Sequence, residues 1–172
     1  MAVKLLSVLA LAGSSLLLQG NVGLRTNLDQ RLLAAHNRER ATLGIAPLHW
    51  NAGLAAGAAE WGAEMAATDE FEHSPTDPDD ENPEGENLFA GTKGHFSPEA
   101  MVEPWIAEKS VYKAGIFPDN SRTGDYEDVG HYTQLMWRNT GQVGCAVVPG
   151  KQLDYLVCRY SQAGNMEGER PF

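Results

Sequence analysis

Four side chains, in four separated segments, have the residue types of a polar cleft able to hold a metal ion. They are His73 in Glu72-His73-Ser74, Glu86 in Gly85-Glu86-Asn87-Leu88, Glu108 in Trp105-Ile106-Ala107-Glu108, and His131 in Gly130-His131-Tyr132-Thr133-Gln134-Leu135-Met136-Trp137. Imidazole nitrogens and carboxylate oxygens suit zinc or a similar divalent ion. Two imidazoles would leave coordination positions for water or a ligand, as catalytic sites do and closed structural sites do not. Without an ion, the same groups can form a hydrogen-bonded network that binds the polar end of a ligand. Plainer readings compete. A short apolar run such as the one after His131 is usually core, which would make that histidine structural. Glu108 shares a stripe with Met101, Trp105 and Tyr112 at i, i+4, i+7 and i+11. A carboxylate on a core-facing stripe requires a partner, and a nearby Lys or Arg would serve.

Other chemistries find less support. No G-x-S-x-G elbow and no H-E-x-x-H helix is present. The segment from Thr68 to Asn87 is dense in Asp and Glu and carries Pro75, Pro78 and Pro83. That proline density excludes a helix or a central strand, so the segment reads as a solvated acidic loop. Its run Asp77-Pro78-Asp79-Asp80-Glu81-Asn82 lacks the central glycine and distal glutamate of an EF-hand. His73 and Glu86 bracket the loop, which would then form one wall of the cleft.

The positioning elements follow in chain order. Asn27 or Asp29 is placed to cap a first helix with Leu28, Leu32, Ala35 and Leu43 on its apolar face. Asn37-Arg38-Glu39-Arg40 falls on its polar side, His36 reads as structural, and Gly44 stops it. Asn51 is the expected cap of a second helix whose Leu54, Ala58, Trp61 and Met65 form a core stripe. Trp50 and Trp61 read as core. Ser97-Pro98-Glu99 is a helix start: cap, proline at the first helical position, acid in the first turn. Tyr112 to Asp128 is a polar connection.

The end of the chain reads as a β-hairpin, with Gly144 to Val148 and Tyr155 to Tyr160 joined through Pro149-Gly150-Lys151-Gln152. A two-residue Lys151-Gln152 loop makes Gly150 face Leu153. Counting back sets Cys145 opposite Cys158 at a non-hydrogen-bonded pair, where Cα atoms lie roughly 4.5 Å apart, within disulfide reach. These are the only two cysteines, and an even count in an exported chain suggests a disulfide. Both faces of these strands are apolar, so the sheet should be covered on both sides, as in an α-β-α sandwich.

Composition sets limits. At 172 residues the chain is one domain by length. Its formal net charge of −10 argues against nucleic acid or anionic membrane as partner, since both require a basic surface. Residues 1–20 read as an export signal: Lys4 supplies the positive start and Leu5 to Leu18 the apolar stretch, with cleavage between about Gln19 and Gly23. No second stretch is long and apolar enough to span a bilayer. The mature domain, 21–172, is expected to be a secreted, extracellular or periplasmic monomer.

The GHYTQLMW stretch and the segment from Cys158 to Gly168 resemble the two signature segments of the CAP superfamily, which comprises cysteine-rich secretory proteins, antigen 5 and pathogenesis-related 1 proteins. The resemblance runs from the His36-Asn37 pair to the end of the chain. It implies an α+β fold, a three-layer α-β-α sandwich with a mainly antiparallel central sheet. It implies that GHYTQLMW is a short helix leading to a strand, and that the tail folds back over the cleft side of the sheet. It maps the family's cleft residues onto His73, Glu86, Glu108 and His131, with the histidines as ligands of zinc or another divalent cation and the glutamates as accessories. The single cysteine pair and the absence of an Asn-x-Ser/Thr sequon look more like a bacterial member. The function implied is a secreted binding module for a small molecule, lipid or protein. A metal-assisted, peptidase-like hydrolase and a non-catalytic scaffold are the alternatives.

Overall fold

The computed structural model describes residues 25–172; the expected export signal and its cleavage region lie outside them. Helix α1 spans Leu28–Thr42. Its N-cap is Asn27, but the residue sits in a left-handed conformation with no side-chain capping bond, and Asp29 lies inside the first turn. Gly44, at φ +65°, ends the helix as expected. Two expectations for its faces fail. Leu43 is half exposed, whereas Arg40 is fully buried. The Arg40 guanidinium donates to the carbonyls of Ala46, Leu135, Trp137 and Thr140. Burying that charge is tolerable because so many backbone acceptors converge on it.

Strand β1, His49–Trp50, leads into helix α2, Ala52–Thr68. Asn51 caps α2 as expected, accepting from the Gly53 and Leu54 amides. Strand β2, Gly85–Thr92, follows the acidic loop; the sequence reading ran the loop through Asn87 and contained no strand here. Helix α3, Pro98–Ala107, begins at the Ser97 cap, and a 3₁₀ turn, Glu108–Ser110, continues it. A second 3₁₀ turn, Tyr126–Val129, precedes helix α4, Gly130–Met136. Strands β3, Gln142–Pro149, and β4, Leu153–Ser161, form the terminal hairpin.

The sheet order is β1-β3-β4-β2, parallel at β1-β3 and antiparallel elsewhere. It is covered on both faces. One face packs Leu156, Cys158 and Tyr160 with Leu32, Met101, Trp105, Leu135 and Met136 of α1, α3 and α4. On the other, Tyr155 and Val157 pack with Ala58 and Met65 of α2. At Gly144 a Cβ would lie 2.2 Å from the Ala55 nitrogen, so only hydrogen fits where α2 crosses β3. Cys145 stands opposite Cys158 and bonds to it, with Cα atoms 4.1 Å apart. Gly150 faces Leu153, its amide donating to the Leu153 carbonyl at 2.7 Å. Trp50 and Trp61 are half-buried at the core margins rather than inside it.

Candidate functional site

The two histidines and two glutamates form two pairs. His73 Nδ1 lies 2.8 Å from Glu86 Oε1, and the Ser74 amide donates to the same oxygen at 3.0 Å. His131 Nδ1 lies 2.6 Å from Glu108 Oε1, and the Tyr132 amide donates to Glu108 Oε2 at 3.0 Å. In each pair a backbone amide next to the histidine fixes the carboxylate. Each carboxylate then holds the Nδ1 edge, so the neutral imidazole carries its proton on Nδ1 and presents Nε2 as the free lone pair.

The local folding explains the placement. β2 is an edge strand, so Glu86 and Asn87 project to opposite faces of its margin. Glu86 meets His73, at the start of the acidic loop, and ties the two ends of that loop together as expected. Asn87 donates its Nδ2 to the His131 carbonyl at 3.0 Å and to the Tyr160 hydroxyl at 3.2 Å. Glu108 reaches His131 because α3 tightens into a 3₁₀ turn at that residue. Trp105, one turn earlier, stacks on the His131 ring with centroids 6.0 Å apart and planes 9° apart. The Trp105 indole N–H is itself held by the Leu88 carbonyl at 3.0 Å.

His73, Glu86 and His131 line one cleft of about 390 Å³ with Asn87, Tyr126, Glu127, Gly130 and Asn165. Glu108 stands behind His131 and is not among the lining residues. The body of the acidic loop is not either; Glu81, Asn82 and Pro83 face a separate cavity beside the tail. The tail crosses α4 as expected: Asn165 Nδ2 donates to the Gly130 carbonyl, and Thr133 Oγ1 donates to Asn165 Oδ1. Tyr126, Glu127 and Asn165 escaped the sequence reading. The first two sit in what read as a polar connection from Tyr112 to Asp128. Asn87 was legible only as part of the Gly85-Glu86-Asn87-Leu88 segment, whose residue types do not alternate as those of a half-buried strand would.

The electrostatics follow the pairing. The Glu86 hydrogen bond raises the His73 pKa above its ordinary value, against the opposing effect of burial. Burial works to raise the pKa of Glu86, but its bonds from His73 and Ser74 outweigh this and lower it. His36 belongs to a different network. It is fully buried; its Nδ1 lies 2.8 Å from the Leu32 carbonyl and its Nε2 2.8 Å from the Tyr160 hydroxyl. Burial pushes its pKa down to about 4. It is structural, as expected, and acts at one remove: Tyr160 accepts from Asn87, which holds the backbone of His131.

Among the described residues no three His, Cys, Asp or Glu side chains come together as a metal-binding group. The glutamates are turned to the histidines rather than to a common centre. Each carboxylate orients its histidine from behind, which leaves the two Nε2 atoms without a hydrogen-bond partner among the described residues.

The model of the CAP, or cysteine-rich secretory protein, family matches residues 33–160, and the chain belongs to that family. It is similar to pathogenesis-related protein 1B of Nicotiana tabacum, 36% identical over 147 residues, which is 85% of this chain and 82% of the relative. It is also similar to pathogenesis-related protein 1 of Arabidopsis thaliana, 33% identical over 145 residues, 84% of this chain and 82% of that one. Among solved structures, the fold resembles NaASP2 crystallised with Zn²⁺, with a TM-score of 0.67, 23% identity and 86% of both chains covered. It also resembles Schistosoma mansoni venom allergen-like protein 4, with a TM-score of 0.62, 22% identity, and 86% of this chain and 94% of that one covered. At these identities the structural likeness speaks to the fold.

Proposed function

We propose that this CAP-family protein is an exported binding protein whose cleft holds one divalent cation, zinc or a similar ion, between His73 and His131. The observation that carries the reading is the paired geometry: each Nδ1 is engaged by its own carboxylate, 2.8 Å away at Glu86 and 2.6 Å at Glu108. Each imidazole is thereby oriented with Nε2 unspent in one shared cleft, the arrangement by which carboxylate–histidine pairs prepare a metal ligand. A bound ion would supply a cationic centre with open positions for a ligand donor atom. The chain's own residues do the rest. Asn87 and Trp105 hold His131 in place, and Glu86 and Glu108 fix both tautomers. Tyr126 and Glu127 stand among the cleft's lining and would meet the ligand, a small molecule, a lipid or a protein segment. Export is supported by the internal disulfide, which persists in oxidising compartments, and by the apolar stretch from Leu5 to Leu18.

Calorimetric titration with zinc at neutral pH tests the reading. Wild type should bind one ion, and His73→Ala and His131→Ala should each abolish binding. Protonation competes with the metal, so affinity should fall as pH drops. Because the His73 pKa is raised, that fall should begin above the ordinary histidine value of 6.5. Absence of binding by wild type, or equal binding by both histidine variants, overturns the metal reading.

A further inference from the structure

The cavity beside the tail, of about 340 Å³, shares no lining residue with the histidine cleft. It lies between the end of the acidic loop, at Glu81 to Pro83, and the tail, at Ser161 to Glu169. That volume is at the small end of the range for ligand sites, roughly 300–1,000 Å³. Its walls are tied together through the backbone. The Ala163 amide donates to the Pro83 carbonyl at 3.3 Å, and the Arg138 amide donates to the Pro171 carbonyl at 2.7 Å. Thr140 Oγ1 donates to the Gln162 carbonyl at 2.8 Å. The cavity is thus held open by the fold itself.

Trp137 lines this cavity and is only 1% exposed. The indole N–H groups of Trp61 and Trp105 donate to the Glu72 and Leu88 carbonyls. That of Trp137 meets no acceptor among the described residues, yet its nitrogen is not wholly enclosed. Its remaining surface opens into the cavity that the ring lines. A buried donor left open in this way is one that an incoming acceptor would satisfy.

The groups around that donor select the occupant. Glu81 and Glu169 have no ion-pair partner among the described residues and repel an anion. The indole N–H repels a cation from the floor. The amides of Asn82, Asn139 and Gln162 and the Ser161 hydroxyl make no hydrogen bond among the described residues, and each can both donate and accept. A flat aromatic ligand finds no ring to stack on. The tail backbone packs so closely on Trp137 that a Cβ at Gly164 would lie 3.0 Å from its Cγ, and Phe117 stands nearly perpendicular to it at 6.4 Å between centroids. What remains is an uncharged ligand whose polar groups also donate and accept, with C–H surface for Pro83, Ala163 and Met166. We propose that this cavity is a second binding site, separate from the histidine cleft, and that it takes a small neutral sugar. One sugar oxygen accepts from Trp137 Nε1–H, and further hydroxyls meet the amides of Asn139 and Gln162.

The test follows the Trp137 indole N–H resonance in heteronuclear NMR spectra of the full chain as cellobiose or maltose is added, the resonance being assigned by its loss in Trp137→Phe. With at least one of these disaccharides, wild type should show a saturable shift that does not depend on salt, since the ligand carries no charge. Asn139→Ala and Gln162→Ala should each weaken binding roughly fivefold, the net worth of one neutral hydrogen bond. Both positions are exposed, so both variants should fold. His73→Ala should bind the sugar as wild type does. Glucosamine and glucuronate, which add a positive and a negative charge to one sugar ring, should bind more weakly than the disaccharide. Absence of a saturable shift with both disaccharides into the tens of millimolar overturns the proposal, and so does wild-type affinity in both alanine variants. Weaker sugar binding by His73→Ala, or tighter binding of either charged sugar, overturns it as well.

Discussion

Glu86 and Asn87 are neighbours in the chain, yet each holds a different histidine of the cleft. Glu86 binds the ring of His73, and Asn87 binds the carbonyl of His131. An edge strand makes this division of labour available, because consecutive side chains leave it on opposite faces. The two halves of the site are thus registered to each other by a single peptide unit.

Substitutions at this pair should separate orientation from folding. Glu86→Gln keeps the shape and can still accept from Nδ1–H, but loses its charge. It should fold and bind zinc about 10- to 100-fold more weakly, the cost usual for outer orienting groups. Asn87→Leu leaves the His131 carbonyl and the Tyr160 hydroxyl without their donor. It should lower unfolding free energy by about 1–3 kcal/mol and weaken zinc binding as well. Urea unfolding and calorimetry on the same samples check both. Zinc binding by Asn87→Leu at wild-type strength would remove Asn87 from the site.

His36 should give the fold a characteristic acid sensitivity. Its pKa is about 4 when folded and near 6.5 when unfolded. The unfolded chain therefore takes up the proton first as pH falls, so stability is full above 6.5 and declines as pH drops toward 4. The loss over that window is roughly 3 kcal/mol. Urea unfolding at pH 7 and pH 4.5 should show most of this loss in wild type and a flatter dependence in His36→Phe. Equal slopes would mean that the ring keeps an accessible proton site.

The Cys145–Cys158 bridge joins residues 13 apart. A loop this short limits its effect on the unfolded chain to roughly 2–3 kcal/mol. Unfolding free energies from urea titrations with and without reductant should differ by that amount. Titration of denatured, unreduced protein should find no free thiol; two reactive thiols would contradict the pairing.

Much of this molecule was legible as local chemistry. The Asn51 and Ser97 caps, the hairpin register and the facing cysteines follow from turn and capping rules that act over a few residues. The four cleft residues were readable as types, and the family resemblance joined them. What escaped depends on distant partners. Arg40 reads as a solvent-facing charge, since its acceptors come from Ala46 and from residues 135–140. Strand β2 was hidden because its first residues look like the end of the acidic loop, and only β4 gives them a ladder to join. The split of the four groups into two Nδ1–carboxylate pairs was likewise invisible. It depends on the Ser74 and Tyr132 amides, and backbone donors carry no signature in residue type.

The most direct measurement of the central claim is X-ray absorption at the zinc edge on the zinc-loaded chain at neutral pH. The proposed site predicts two imidazole nitrogens at about 2.0–2.1 Å, with water or other light-atom ligands completing the shell and no sulfur. His73→Ala and His131→Ala should each lose that two-imidazole signature. A spectrum from wild type with one imidazole or none would contradict the claim that His73 and His131 share one ion.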